Sequence, residues 1–245
     1  MKLVFLGCGS WVSPPHLIGM GIAVVDRDKY VLLDCGPNIP ENLVGCGLSH
    51  LDPIAVVVTH MHGDHVLGLP TFLMWLRFRR AGRKVKIVGT KPMLDSIDRL
   101  LELVGAPRSS VAEFVEIDPE REIEIEDFRV VLREAKHTVY SLIAKICRGD
   151  ECVAYACDTA PFDELKEFAK GCKVLVYECS GIDREEMHRI GHSTPLDAVE
   201  IAKSCGVKVL ALVHPGFEPI TLGGAGSLGF KVVVPYPCYE VEVRG

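Results

Sequence analysis

The stretch T-H-M-H-G-D-H, residues Thr59–His65, decides the fold of this chain. It follows the apolar run I-A-V-V-V, residues Ile54–Val58, which predicts a buried β-strand. Three imidazoles and one carboxylate therefore stand at the carboxyl end of that strand. In layered α/β folds this is the end of the sheet where ligands bind.

The composition of this cluster favours metal binding. Neutral imidazole and carboxylate groups are ordinary ligands of zinc and similar divalent ions. His60 and His62 lie two residues apart, so both rings can point to one side of an extended backbone. Asp64 and His65 should diverge towards a second position, with Gly63 allowing a sharp turn between the pairs. The motif can then supply two ligands to each of two metals. The alternative, histidines that serve only packing, is disfavoured because burying four such polar groups without partners is costly.

The composition is that of a globular protein. The chain has 245 residues, of which 48% are hydrophobic and 24% are charged. This is enough for one sizeable core, and we predict a single domain over residues 1–245. The net charge of −6 and the pI of 5.9 give no support to nucleic-acid binding, which more often uses basic domains. No signal peptide is visible, and no apolar run approaches the roughly 18 residues of a membrane span. We therefore predict a cytoplasmic location.

Strands and helices alternate along the chain, with a hairpin signal in each half. This pattern is typical of two sheets covered by helices. It predicts one buried helix over 66–81, a helix over 161–169 that begins at Pro161, and a helix opened by Ser193-Thr194-Pro195. It also predicts a flexible loop at Gly223–Gly226. No internal repeat is visible in the sequence.

The ten cysteines include no C-x-x-C pair, which argues against a structural zinc site or a redox motif. Most lie in apolar runs and are expected to be small buried side chains. Cys147 and Cys152 flank a predicted hairpin turn at Gly149-Asp150, and that register places them as a close, non-hydrogen-bonded pair. Our hypothesis is that they form a disulfide, as happens in intracellular proteins of hyperthermophiles.

The basic cluster at residues 77–84 has two interpretations. It can be a patch that binds RNA or phosphate. It can equally be a set of cations at the carboxyl end of a helix, where they complement the helix dipole. The sequence leaves both open.

The motif H-M-H-G-D-H resembles the signature of the metallo-β-lactamase superfamily, and further matches run along the whole chain. The resemblance implies an αββα sandwich of two mixed β-sheets with outer helices. It implies two divalent ions, zinc by preference, with manganese or iron(II) as alternatives. Asp34 would be a carboxylate that orients a metal-bound histidine without itself binding metal, or else a turn aspartate before Gly36. One ion would be held by His60, His62 and His137 and the other by Asp64, His65 and His214, with Asp158 bridging them.

Within the superfamily, H-S-T at His192–Thr194 is similar to a motif of ribonuclease Z, the tRNA 3′-processing endonuclease. Glu178 lies in Y-E-C-S, where that family has H-E-A-T. The resemblance implies that His192 is the acid for the leaving oxygen, that Glu178 holds its ring, and that Asp64 orients the attacking hydroxide. The alternatives are a helix cap for His192 and a strand-end carboxylate for Glu178. His188 could take either role, although no motif supports it.

The resemblance to ribonuclease Z fails at two places. Only 20 residues separate His137 from Asp158, where the family carries a flexible arm that grips tRNA. The loop at residues 14–19 has neither Lys nor Arg, where the family has P-x-K-x-R-N. Both departures remove RNA contacts.

The implied function is therefore a binuclear, metal-dependent phosphodiesterase that acts through a metal-bound hydroxide on RNA or on small or cyclic phosphodiesters. The alternatives are a hydrolase of thioesters, lactones or β-lactams, and a non-catalytic metal-binding module. The oligomeric state stays open, with a homodimer among the alternatives.

Overall fold

Two mixed β-sheets of seven strands each form the centre of the computed structural model, which describes residues 1–14, 16–17, 19–79, 82–216, 220 and 228–244. The expected loop at Gly223–Gly226 lies outside these residues. The strands are β1 (Lys2–Cys8), β2 (Met20–Asp26), β3 (Lys29–Leu33), β4 (Asp52–Val57), β5 (Val85–Gly89), β6 (Ala112–Glu116), β7 (Glu122–Ile125), β8 (Phe128–Glu134), β9 (Leu142–Arg148), β10 (Glu151–Ala156), β11 (Val174–Cys179), β12 (Val209–Pro215), β13 (Lys231–Val233) and β14 (Glu240–Glu242). The helices are α1 (Ile39–Gly45), α2 (Gly63–Val66), α3 (Leu69–Phe78), α4 (Lys91–Leu103), α5 (Asp163–Ala169), α6 (Arg184–Arg189) and α7 (Pro195–Cys205).

Both sheets have the same topology. The first has the order β14-β1-β2-β3-β4-β5-β6, and the second runs from β7 to β13 in sequence order. In each sheet, three antiparallel pairings are followed by three parallel pairings. The two halves of the chain thus build one arrangement twice, and the carboxyl-terminal β14 supplies the first strand of the first sheet. This repeat is one of backbone topology, which explains why the residue types alone do not reveal it.

Three apolar layers hold the sheets and helices together. The inner layer lies between the sheets and includes Val57 and Tyr155. The second, which includes Phe72, packs the first sheet against α1, α3 and α4, and the third, which includes Leu165, packs the other sheet against α5 and α7. The predicted αββα sandwich is confirmed. No helix in the described part of the chain is long and apolar enough to cross a membrane.

Strand β4 shows why its sequence is apolar without alternation. Ala55 and Val57 face the layer between the sheets, whereas Val56 and Val58 face the helices. Because successive side chains of a strand point to opposite faces, a strand covered on both sides needs apolar residues throughout. The strand therefore delivers the polar residues that follow it to the sheet edge, where the apolar layers end.

Residues 80 and 81 of the predicted single helix over 66–81 lie outside the described residues, and for the rest the prediction is wrong, because the structure has two helices, α2 and α3. They are separated at Gly68, where a Cβ atom would lie only 1.9 Å from the carbonyl oxygen of Gly36. This close approach requires glycine, and Pro70 in the first turn of α3 favours a fresh helix start. The predicted start of α5 at Pro161 is also wrong. Phe162 is extended, with φ −154° and ψ 158°, so the helix begins only at Asp163.

Two disulfides are present. The predicted pair Cys147–Cys152 joins directly opposite residues of β9 and β10. The second, Cys46–Cys238, was not predicted, because nothing in the sequence relates residues that are 192 positions apart. It ties the end of α1 to the segment before β14. The remaining six cysteines are buried, as expected.

The Cys46→Ser/Cys238→Ser variant should lose more stability than the Cys147→Ser/Cys152→Ser variant. The chain-entropy model gives about 5 kcal/mol for the long closed loop and about 2 kcal/mol for the hairpin loop. Guanidinium unfolding of both variants and of the parent protein, without reductant, measures the difference. Equal losses would show that loop length does not govern the effect here.

Candidate metal centre and active site

The carboxyl ends of β3, β4, β10, β11 and β12 meet at one edge of the sandwich and bring the predicted residues together. Asp34 follows β3, Asp158 follows β10 and His214 lies near the end of β12. Their φ angles are 58°, 56° and 55°, in the left-handed region that non-glycine residues rarely adopt. Such strained backbone recurs at functional sites. Asp34 and Asp158 also occupy equivalent places in the topological repeat, since each follows the fourth strand of its sheet.

The described residues form four groups whose potential ligand atoms lie within 4.8 Å of one another, and two of these groups together contain the seven predicted ligands. Asp158 faces both groups with different oxygen atoms. Its Oδ2 lies 3.5 Å from Nε2 of His60 and 3.7 Å from Nε2 of His137, whereas its Oδ1 lies 3.2 Å from Nε2 of His65 and 3.3 Å from Nε2 of His214. One oxygen of Asp158 therefore faces each group, and each could contact a cation held there. One group consists of His60, His62, His137 and Asp158, and the other of Asp64, His65 and His214.

Two observations show that this cluster fits metal ions. Nε2 of His60 and Nε2 of His65 are buried without a hydrogen-bond partner among the described residues. A buried polar atom without a partner is costly, and a cation would satisfy both. Burial is the main cause that lowers the pKa of His60 to about 4, which keeps it in the neutral form that binds metal.

The charge of the cluster also favours a cation. Burial would lower the pKa of His65, but the carboxylates of Asp158 and Asp34 raise it well above its usual value. Burial would raise the pKa of Asp158, but His214, His65 and His60 hold it well below its usual range. Without metal, these carboxylates thus hold a proton on His65, and a bound cation would take the place of that positive charge.

Asp34 is fully buried and holds the first half of the centre in place. Its Oδ2 accepts hydrogen bonds from Nδ1 of His65, Oγ1 of Thr59 and the hydroxyl of Tyr155, each at 2.8 Å, and its Oδ1 accepts one from the Thr59 amide. Because Nδ1 of His65 is the donor, the lone pair of Nε2 points to the centre. This geometry favours the orienting role over that of a simple turn aspartate.

Glu178, on β11, is a further fully buried carboxylate beside the centre. Both of its oxygens lie 3.0 Å from Nδ1 of His192. They also accept hydrogen bonds from the amides of Thr159 and Ser193 and from the hydroxyl of Ser180. Nδ1 of His192 is thereby engaged, which leaves its Nε2 for the site. The ring of His192 lies 4.7 Å from that of His137 and 5.7 Å from that of His214, so it borders both ligand groups.

The structure decides two alternatives and one further expectation from the sequence. Nε2 of His188 pairs with Asp197 at 3.0 Å, on the side of α7, and does not join the centre. The cap of α7 is Thr194, with a reciprocal capping box to Asp197, so His192 is not the cap. Gly63 has no positive φ and simply begins α2, so the expected sharp glycine turn is wrong. The change of direction comes from the start of the helix.

Sequence reasoning missed the groups that orient the histidines. Nδ1 of His137 donates to the carbonyl oxygen of Gly191 at 2.9 Å, and Nδ1 of His60 lies 3.2 Å from Oγ1 of Thr59. Ser180 lies between Glu178 and His214. Hydroxyl and carbonyl partners have no spacing signal in a sequence, so only Thr59, inside the quoted stretch, and Ser180, inside Y-E-C-S, could have been suspected.

A sequence profile described as β-lactamase superfamily domain matches residues 29–215. The chain belongs to the β-lactamase superfamily. The match begins with β3 and ends with β12, and so includes the whole centre. The predicted superfamily is therefore confirmed.

Relatives in this superfamily support a closer likeness. Ribonuclease Z of Methanocaldococcus jannaschii is 26% identical over 270 aligned positions, which cover 87% of this chain and 85% of the relative. Because the alignment is longer than the 245-residue chain, the relative has segments that are missing here. Between His137 and Asp158 the chain has only β9, β10 and short connections, so the predicted lack of an arm is confirmed.

Solved structures show the same fold. The metallo-β-lactamase fold protein YhfI of Bacillus subtilis superimposes with a TM-score of 0.84 at 19% identity, covering 98% of this chain and 99% of that one. The short form of human tRNase Z superimposes with a TM-score of 0.82 at 21% identity, covering all of both chains. Together with the ligand groups, these findings identify a ribonuclease Z-like, metal-dependent hydrolase that can bind divalent metal.

Proposed function

We propose that this β-lactamase superfamily member is a phosphodiesterase of the ribonuclease Z type. The observation that carries the proposal is the His192–Glu178 pair beside two groups of metal ligands. Side chains of Asp158, His192 and His214 offer atoms within 4.8 Å of one another, so a proton donor borders the metal centre. A phosphodiester needs both parts, because its cleavage places negative charge on phosphate oxygens and on a departing alkoxide.

The two ligand groups would hold two divalent ions, zinc by preference, with Asp158 shared between them. When bound, two such ions acidify water and neutralise the charge of a phosphoryl group in displacement. Asp64 belongs to the second group and is buried. The oxygen that it does not use for metal is our candidate for orienting the attacking water. His214 and His65 hold the pKa of Asp64 below its usual value, although burial acts in the opposite direction, so it stays an acceptor.

His192 supplies the proton for the leaving oxygen. Burial would lower its pKa, but the hydrogen bond and the charge of Glu178 raise it above the ordinary value of histidine. The ring is therefore protonated over a wider pH range, and its Nε2 can donate while Nδ1 stays bonded to Glu178. A thiolate departs without taking up a proton. A thioester hydrolase would therefore not need the proton that the His192–Glu178 pair supplies.

The substrate is RNA or a smaller phosphodiester. Similarity to ribonuclease Z of Methanocaldococcus jannaschii supports RNA. The missing arm supports a shorter substrate. The basic cluster at residues 77–84 supports the same conclusion, because part of its positive charge is neutralised by contacts within the protein and is not free to bind RNA. Arg83 pairs with Asp52 and Glu126, and the guanidinium of Arg79 lies 4.5 Å from the centre of the Trp75 ring. These contacts favour the helix-end interpretation of the cluster, while Arg80 lies outside the described residues.

Turnover of pre-tRNA, linear dinucleotides and cyclic phosphodiesters on one metal-replete preparation tests the proposal. We expect hydrolysis of at least one phosphodiester, loss of that activity on chelation and its return with zinc. A panel of a thioester, a lactone and a β-lactam serves as the control. Turnover of that panel without turnover of any phosphodiester would refute the proposal.

The single domain over residues 1–245, the cytoplasmic location and a homodimeric assembly stay predictions. The orienting role of Asp34 and the identity and number of the ions have the same status. Metal analysis of the purified protein addresses the ions directly.

A further inference from the structure

Glu178 contacts more groups than the proposed acid requires. Besides His192, it accepts a hydrogen bond from the hydroxyl of Ser180, whose Oγ lies 2.5 Å from its Oε2. The same Oγ lies 3.0 Å from Nδ1 of His214, a proposed metal ligand. One serine hydroxyl therefore stands between the carboxylate that serves the acid and a histidine of the metal centre.

The directions of these hydrogen bonds follow from the chemistry of the groups. A carboxylate can only accept, so the single hydroxyl proton of Ser180 goes to Glu178. The oxygen of Ser180 then accepts the proton of Nδ1 from His214. This fixes the tautomer of His214 and leaves its Nε2 lone pair on the side of Asp64 and Asp158, at 3.1 Å and 3.3 Å from their oxygens.

The first half of the chain repeats this pattern. Oγ1 of Thr59 donates to Asp34 and lies 3.2 Å from Nδ1 of His60, while Asp34 bonds His65 directly. In each half, a buried carboxylate thus holds one histidine directly and a second one through a hydroxyl. Thr59 and Ser180 each follow the fifth strand of their sheet, β4 and β11, and this recurrence argues that the position of Ser180 is part of the construction of the centre.

We propose that Ser180 is a positioning residue that lets Glu178 support two groups at once, the metal ligand His214 and the acid His192. The proposal rests on the proposed function for the role of His192, but the link to His214 is independent of substrate. Without the hydroxyl, Nδ1 of His214 loses its acceptor, and Glu178 loses one of the donors that fix its orientation.

The test is the Ser180→Ala variant, with zinc affinity measured by competition against a chromophoric chelator. Loss of a group that orients a metal ligand typically weakens binding about 10- to 100-fold, and we expect a loss in that range. Turnover of a dinucleotide should also fall more than turnover of bis(p-nitrophenyl) phosphate, because only the dinucleotide needs His192. Ser180→Thr restores a hydroxyl at the same place and should recover both properties to within about threefold of the parent.

Ser193→Ala is the matched control. Its hydroxyl is also buried and bonds the carbonyl of Thr159 and the hydroxyl of Tyr177, while its amide, which contacts Glu178, is unchanged. It should lower thermal stability without weakening zinc binding. If Ser180→Ala does not fold, Ser180→Cys fills the volume with a poor acceptor and should show the same loss of affinity.

Parental zinc affinity in a folded Ser180→Ala or Ser180→Cys variant overturns the proposal, and so does a Ser180→Thr variant that recovers nothing. An unchanged preference between the two esters, with weakened zinc binding, overturns the link to His192. If no phosphodiester is cleaved by the parent protein, the proposed function fails, whereas the zinc titration still decides the link to His214.

Discussion

The Asp158→Asn variant should lose about a thousandfold or more of the phosphodiester turnover and at least one equivalent of bound metal. Among the described residues, Asp158 is the one side chain whose two oxygens face both ligand groups, and its position is fixed by the left-handed turn after β10. Asparagine keeps the shape but replaces one oxygen with an amide nitrogen that cannot bind a cation. Since two ions are expected to stabilise charge in the displacement, losing their shared ligand removes several kcal/mol of that stabilisation.

Bis(p-nitrophenyl) phosphate turnover and metal analysis after dialysis measure this effect. Asp150→Asn, in the exposed turn between β9 and β10, is the matched control and should behave as the parent. A variant at Asp158 that keeps two ions and loses less than tenfold in turnover would remove Asp158 from the bridging position.

The His192→Ala variant should lose about 100- to 10,000-fold in turnover of a dinucleotide, the range typical of general acid catalysis. For bis(p-nitrophenyl) phosphate the loss should be about tenfold or less, because nitrophenolate departs without a proton. Zinc affinity should stay close to that of the parent, since His192 is assigned to proton transfer rather than to either ion. Glu178→Gln should also lose more turnover of the dinucleotide than of bis(p-nitrophenyl) phosphate. Its zinc affinity should fall as well, because Ser180 connects Glu178 to the proposed ligand His214.

His188→Ala is the control for this prediction. His188 precedes His192 by four residues and pairs with Asp197 away from the centre, so its loss should leave the ratio between the two esters unchanged. An equal loss on both esters in His192→Ala would contradict the acid role, and an altered ratio in His188→Ala would transfer that role to His188.

The sequence predicted most residues of the centre because they lie at or just beyond the ends of strands, whereas Asp64 and His65 lie in α2 and His192 follows α6. Apolar runs end at Asp34, His60, Asp158 and Glu178, and strand ends of neighbouring strands meet at one sheet edge. The H-x-H-x-D-H spacing and the superfamily resemblance then supplied the grouping of ligands. The αββα arrangement itself came from the resemblance, since periodicity gives elements but not their layers.

The sequence could not predict features that depend on close approach in space. The break between α2 and α3 is required by contact between Gly68 and Gly36, and the disulfide Cys46–Cys238 joins segments 192 residues apart. Ser180 was passed over because a serine gains its role only from the atoms around it. The topological repeat was invisible for the same reason, since pairing direction is not encoded in residue type.

In the part of the chain that the structure describes, neither half carries a complete set of metal ligands. His60 and His62 come from the first half and must meet His137 and Asp158 of the second, and His214 of the second half must reach Asp64 and His65 of the first. Ions bound there would act as clamps between the two sheets, each adding about 4 kcal/mol against separation when free metal exceeds its dissociation constant a thousandfold. We therefore expect variants that are destabilised by substitutions between the sheets to need zinc in order to stay folded. Excess zinc should restore the stability of such variants when all of their metal ligands are intact.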